Sequence, residues 1–304
     1  MKTQNKSRLR LAVQKSGRLS QECFELLRQC GLNATPSKTA LFYRVSNFPL
    51  DLLMVRDDDI PSLVREGICD AGILGEDKYR EEGLNGREEP DLPLFKRLGL
   101  ATCRLCFAVP KESGIEEVSQ LNQTRIATSF PGITSKYLKG LGVEAEMVKM
   151  EGSVELAPRL GIAEAISDLV STGATLEANG MKVLQEIFSS EAIVVINPNL
   201  QENESSTYQE KFEILNRLGT RIDGVLKARD SKYIMLHAPA DKVQNICDLL
   251  PGIESPTTIP LPGKPGTVAL HAVCKENLFW ETMEALKGIG ASAMLVLPIE
   301  KMMD

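Results

Sequence analysis

Short apolar runs alternate with amphipathic stretches through most of this chain. "LRLAVQ" (9–14), "DLLMVR" (51–56), "AGILG" (71–75), "RLCFAVP" (104–110), "RIATS" (125–129) and "AIVVIN" (192–197) are nearly continuous apolar segments. Runs of that length suit strands buried on both faces of a sheet. Between them, "SQECFELLRQCGL" carries helical spacing, with Ser20 as a plausible cap and Gly31 as a stop. "DDDIPSLVREG" predicts a second helix, with Asp57 to Asp59 ahead of a proline near its first turn and Gly67 at its end. The acidic triplet is helix-start chemistry on this reading, not a metal site. Strand–helix alternation of this kind predicts an α/β fold.

The pattern changes near residue 207. "TYQEKFEILNRLGTRIDGVLKAR" predicts a long helix, with Gly219 and Gly224 as places where it could break. Beyond it the order is strand ("KYIMLHAP"), helix ("ADKVQNICDLL"), strand ("SPTTIPL"), strand ("TVALHAV"), helix ("ENLFWETMEALKGIG"), strand ("AMLVLPI"). That βαββαβ order is the ferredoxin-like plan. The expected division is a body over 1–224 and a small C-terminal domain over 225–304 that is poor in catalytic groups.

Composition narrows the functional classes. At 304 residues the chain is too long for one small core. Its 43% hydrophobic and 25% charged residues are ordinary for a globular protein, and a net charge of −6 argues against a general nucleic-acid or membrane-surface role. No apolar run approaches the roughly 18 residues of a membrane span, and the start carries no signal-peptide pattern. Seven scattered cysteines suit free thiols in a reducing cytoplasm, the expected location. Cys103 and Cys106 have zinc-like spacing, but on a strand an offset of three sends them to opposite faces. With only two histidines in the chain, neither a structural zinc site nor a His-based triad is expected.

The stretch "DLVSTGATL" (168–176) is where chemistry concentrates. Gly173 lets backbone approach an anion, while Ser171, Thr172 and Thr175 add hydroxyl donors before a helix-like segment. A helix cap without a ligand is the plain alternative. Glu155 lies 13 residues before Asp168, across a Pro-interrupted segment. If both carboxylates face one cleft, they can accept hydrogen bonds from ribose hydroxyls beside a phosphate. Spacing alone leaves open that they are surface acids on separate elements.

From Glu155 to Thr175 the chain reads E-x5-G-x-A-x-A-I-x-D-x-V-S-T-G-x-T. This resembles the signature of the ATP phosphoribosyltransferase family, the first enzyme of histidine biosynthesis. "LAVQKSGRLS", "VRDDDIP", "DAGILGED", "DSKYIMLHAP" and "GASAMLVLPIEKMM" extend the likeness to its long, histidine-regulated form. Glu164, where many members carry Asp, conserves the charge.

The resemblance implies transfer of phosphoribosyl from phosphoribosyl pyrophosphate to N1 of ATP, with Mg²⁺ arriving on the pyrophosphate. By motif, Ser171, Thr172, Gly173, Ala174 and Thr175 would hold the 5-phosphate, and Glu155 and Asp168 the ribose. Lys15, Arg18 and Arg56 would face the polyanions, with Asp70 a weaker candidate on the nucleotide side. The implied body is a two-lobed, type II periplasmic-binding-protein-like fold, lobe I over about 1–98 and 190–224 and lobe II over about 99–189. The tail would sense histidine through His237, Ile253, Ser255, Thr257 and Ala291, and dimers would build a hexamer. A non-catalytic two-lobed binding protein and an idle regulatory subunit are the rival readings.

Overall fold

The computed structural model describes residues 7–33, 41–84, 91–250, 256–275 and 280–303. The chain divides into two compact units, 1–28 with 32–216 and 29–31 with 217–304.

In chain order, the first unit opens with β1 (Leu9–Gln14), α1 (Arg18–Gln29), β2 (Phe42–Arg44), β3 (Leu50–Val55), α2 (Ile60–Arg65), β4 (Ala71–Gly75), α3 (Glu76–Gly83) and β5 (Leu94–Arg97). It continues with β6 (Cys103–Pro110), β7 (Arg125–Thr128), α4 (Pro131–Gly140), β8 (Glu146–Lys149), β9 (Ala165–Val170), α5 (Ala174–Ala178), β10 (Met181–Ser190), β11 (Ala192–Ile196) and α6 (Asn199–Glu202). Two sheets result, of order β2-β3-β1-β4-β11-β5 and β10-β6-β9-β7-β8. The chain thus leaves the first sheet after β5, builds the second, and returns at β11, which is the two-lobed plan. Strands β1, β3 and β4 run parallel, as do β7, β8 and β9.

Helix α1 begins at Arg18, two residues ahead of the expected Ser20 cap. Ser20 is instead buried inside the helix, beside Cys23, Leu26 and Leu27. Asp57–Asp59 form a 3₁₀ turn leading into α2, and Pro61 sits in the first turn as its missing N–H allows. Cys103 and Cys106 both lie on β6; all seven cysteines are free thiols, and burial pushes Cys23 up to about 12.

Helix α7 (Ser206–Arg229) is unbroken. At Gly224 a close approach explains the glycine: an added Cβ would lie 2.6 Å from the Met302 carbonyl oxygen, while Met302 N–H donates to the Gly224 carbonyl at 2.9 Å. The second unit then holds β12 (Ser231–Pro239), α8 (Val243–Leu249), β13 (Thr257–Pro260), β14 (Thr267–Lys275), α9 (Trp280–Gly288) and β15 (Ser292–Pro298). Its sheet is antiparallel with order β13-β14-β12-β15, the ferredoxin-like arrangement. Ile234, Leu236, Leu270, Ala272, Ile246 and Leu286 form its core.

Candidate active site

The carboxylates 13 residues apart lie near enough for Glu155 to act electrostatically on Asp168. On β9, Asp168 shares a face with Ile166 and Val170, the face on which Val154 and Ala157 pack. Glu155 sits in the 3₁₀ turn Val154–Leu156, so that packing carries it toward Asp168. Its charge is felt there. Burial first, and Glu155 second, raise the Asp168 carboxyl above the ordinary carboxylate range, against a 2.8 Å hydrogen bond from Leu169 N–H that lowers it. Two anions held together in this way are relieved by O–H donors or by a cation.

The loop follows directly. Val170 ends β9 buried, and Ser171, Thr172, Ala174 and Thr175 are exposed. Gly173 adopts φ 82°, which a side chain would resist, and its carbonyl accepts from Glu177 N–H at 3.0 Å. Thr172 Oγ1 accepts a long bond from Ala174 N–H, 3.4 Å. Ser171 also lines a cavity of about 470 Å³ with Cys103, Arg104 and Ser190 at the junction of the two lobes.

The basic residues lie on the other sheet. Lys15 follows β1 and Arg56 follows β3; these strands pair in parallel with Gln14 opposite Val55, so both cations stand at one strand-end edge. Both are exposed. Arg18 is exposed too, but donates to Glu22 at 2.7 Å, and Glu22 accepts Ala101 N–H at 2.8 Å. Asp70 does not reach that edge. It precedes β4, buried, aligned with Arg10 at the opposite strand end, roughly 16 Å of strand rise from Lys15. It accepts Arg10 N–H and Lys211 Nζ, each at 2.8 Å, which makes it a buried ion-pair partner.

Sequence reading missed the groups that join the lobes. Ser190 Oγ donates to Asp77 at 2.7 Å and accepts Asp77 N–H at 3.1 Å, both residues buried. Burial raises the Asp77 carboxyl, with Ser190 pulling it back. Glu76 is held low, chiefly by hydrogen bonding to Arg97 and also by Arg80. Ser190 is 113 residues from Asp77, so no local pattern marks that bond between the lobes; within the first lobe Arg97 is 21 residues from Glu76, and only Arg80 is a local, i,i+4 partner.

In the tail unit, His237 on β12 lies opposite Ala269, and Thr257 on β13 lies opposite His271. Both fall on the sheet face away from the helices, where Tyr233 OH and His271 Nδ1 are 2.5 Å apart. Ala291 is buried in the helix-side core. Ile253 and Ser255 fall outside the described residues.

A family model described as HisG: ATP phosphoribosyltransferase matches residues 56–223, and one described as HisG, C-terminal domain, matches residues 228–301. Among solved structures, the chain is similar to the ATP phosphoribosyl transferase (HisG:HisZ) complex from Thermotoga maritima. The identity is 29% and the TM-score 0.57, over 71% of this chain and 98% of that one. It is more distantly similar to Tv2483 bound to L-arginine, at 14% identity and TM-score 0.45 over 71% of this chain and 86% of that one. The alkanesulfonate-binding protein SsuA from Xanthomonas axonopodis pv. citri bound to MOPS matches at 13% identity and TM-score 0.43, over 70% and 73%.

Proposed function

From the premise that this chain belongs to the ATP phosphoribosyltransferase family of histidine biosynthesis, we propose which of its residues carry the reaction. The reaction joins C1 of phosphoribosyl pyrophosphate to N1 of the adenine of ATP. The N1 lone pair attacks C1 as the C1–O bond to pyrophosphate breaks, and the electron pair leaves with pyrophosphate. No covalent protein nucleophile is needed. What the protein supplies is alignment of two polyanions and stabilisation of separating charge.

Ser171, Thr172, Gly173, Ala174 and Thr175 receive the 5-phosphate, through hydroxyls and backbone N–H groups of the glycine turn. Glu155 and Asp168 accept hydrogen bonds from the ribose hydroxyls, fixing the ring so that C1 faces the nucleotide. Lys15 and Arg56 on the first lobe, with Arg18 beside them, draw in the pyrophosphate and triphosphate. The observation that carries this assignment is the proximity of Glu155 and Asp168 immediately before an exposed hydroxyl turn.

Mg²⁺ belongs with the substrate in this reading. Pyrophosphate oxygens are the hard ligands it prefers, and the Glu155–Asp168 pair offers hard oxygens whose mutual repulsion a cation relieves. Bound there, the metal would neutralise the leaving group. Histidine acts as feedback inhibitor through the tail unit, and dimers assemble toward a hexamer; family membership and the complete βαββαβ unit support both. No described helix is long and apolar enough to cross a membrane. The cytoplasm is the proposed location, in keeping with seven free thiols.

Pyrophosphate release measured with ATP and phosphoribosyl pyrophosphate, with and without Mg²⁺, tests the assignment. Release that requires both substrates supports it. Binding of either substrate with no release would instead make the chain a non-catalytic binding protein or regulatory subunit.

A further inference from the structure

We propose that Glu81 is a positioning residue that fixes the phosphate-loop lobe against the cation-bearing lobe. Its carboxylate, on α3 of the first lobe, accepts Gly132 N–H at 2.8 Å and Ile133 N–H at 2.9 Å in the first turn of α4 of the second lobe. This rests on the reading that substrate spans Lys15 and Arg56 on one lobe and Ser171–Thr175 on the other.

The bond type is a strong one. A helix begins with N–H groups that have no partner within the helix, and a carboxylate there meets both the donors and the positive end of the helix dipole. Phe130, the residue before α4, offers no side-chain cap, so the acceptor comes from across the lobes. Residue choice on α4 fits the contact. A Cβ at Gly132 would lie 3.1 and 3.2 Å from the two Glu81 oxygens and 3.2 Å from Leu84 Cβ, so a side chain there would make the carboxylate and Leu84 give by a few tenths of an ångström. Neighbouring contacts reinforce the junction: Lys78 Nζ of α3 stands 5.6 Å from the Phe130 ring centroid, and Leu84 packs with Phe130 and Ile133.

What α4 transmits is also visible. Thr134 Oγ1 donates to Ser167 Oγ at 2.9 Å, both fully buried, and Ser167 immediately precedes Asp168 on β9. Glu81 is therefore joined to the ribose carboxylate through one helical turn and one buried hydroxyl pair. Strands β7 and β9 run parallel, so α4 and the phosphate loop leave the same edge of their sheet. An error in the seating of α4 displaces the loop and Asp168 together relative to Lys15 and Arg56.

Loss of the carboxylate should leave the chemistry intact but lower the fraction of molecules poised to bind across the lobes. Apparent affinity falls by that fraction, for both substrates alike. In Glu81→Ala, KM for ATP and for phosphoribosyl pyrophosphate should each rise about 5- to 10-fold, with kcat within twofold of the parent. Glu81→Gln, which retains one acceptor, should fall between. Hydrogen exchange at Gly132 and Ile133, measured without substrates, should quicken in both variants. Unchanged KM in a folded Glu81→Ala protein, or a fall in kcat alone, overturns the proposal; if that variant does not fold, Glu81→Gln decides by the same readings. An inactive parent would defeat the substrate assignment, while unaltered exchange in an active protein would defeat the junction.

Discussion

Asp168 works at a cost to its own fold. Its carboxyl is held above the ordinary range by burial and by Glu155, so the folded chain binds that proton more tightly than the unfolded chain does. Stability contributed by this group therefore falls as pH rises from the ordinary carboxylate value through the raised one. At neutral pH the ionised carboxylate is a liability, which ribose hydroxyls relieve. Asp168→Asn should lower turnover by about 10²-fold through misplaced substrate, yet melt at or above the parent temperature at pH 7. The melting difference should close in acid, where the parent group is protonated. A variant with parental turnover for both substrates would remove Asp168 from the ribose site. The loop beside it predicts a different signature. Thr172→Ala with Thr175→Val should weaken phosphoribosyl pyrophosphate by roughly 1.5–3 kcal/mol for each lost bond to a charged oxygen, with melting unaltered because both side chains are exposed. Unchanged steady-state kinetics in the double variant would end the phosphate-loop assignment.

Elements show where a sequence speaks and where it falls silent. Strand β1 coincides with "LRLAVQ" and β4 with "AGILG" because both are central strands, covered on both faces, and such strands read as nearly continuous apolar runs. Strands β2, β5 and β8 escaped notice for the opposite reason: "FYR", "LFKR" and "EMVK" are short, edge-lying and half polar. The ten-residue edge strand β10, "MKVLQEIFSS", keeps no strict alternation of polar and apolar residues, because its two register irregularities shift the period. At the site, the Glu155-to-Thr175 motif was legible because its parts are local. Glu81 and Gly132 were not, since their relation arises only when two lobes fold. Gly224 invited a break in α7, and the structure gives it another purpose. Ala at a helix interior ordinarily gains about 1 kcal/mol over Gly. Here Gly224→Ala would drive a methyl against the Met302 carbonyl at 2.6 Å, backbone that cannot rotate away, and overpacking of this kind costs about 1–3 kcal/mol. The variant should melt lower than the parent, whereas in a chain ending at Lys301 the same substitution should be neutral or stabilising. A lower melting temperature in both backgrounds would show that the tail contact is not the reason for the glycine.

At the scale of the whole molecule, the proposed catalytic groups all lie in the first compact unit, and the proposed histidine groups in the second. An effector acts across such a division only by binding one state of the protein better than another; equal affinity shifts nothing, and linkage makes the coupling reciprocal. Ala291 cannot serve as a probe of the effector site, because it is packed in the core with Leu286 and Ala238, and a larger side chain there would disturb the fold before any ligand. His237 and Thr257 are better placed, on the face of the sheet opposite the helices. His237→Ala and Thr257→Val should each raise the histidine concentration for half-inhibition by about fivefold or more, the lower end of ordinary coupling energies. The reading is the ratio of pyrophosphate release with and without histidine in each variant, which cancels any change in basal rate. Reciprocity supplies a second reading: saturating phosphoribosyl pyrophosphate should weaken histidine binding to the parent protein, measured by calorimetry, by the factor through which histidine weakens that substrate. Undiminished histidine sensitivity in both variants would place the effector elsewhere and leave the open sheet face to assembly alone.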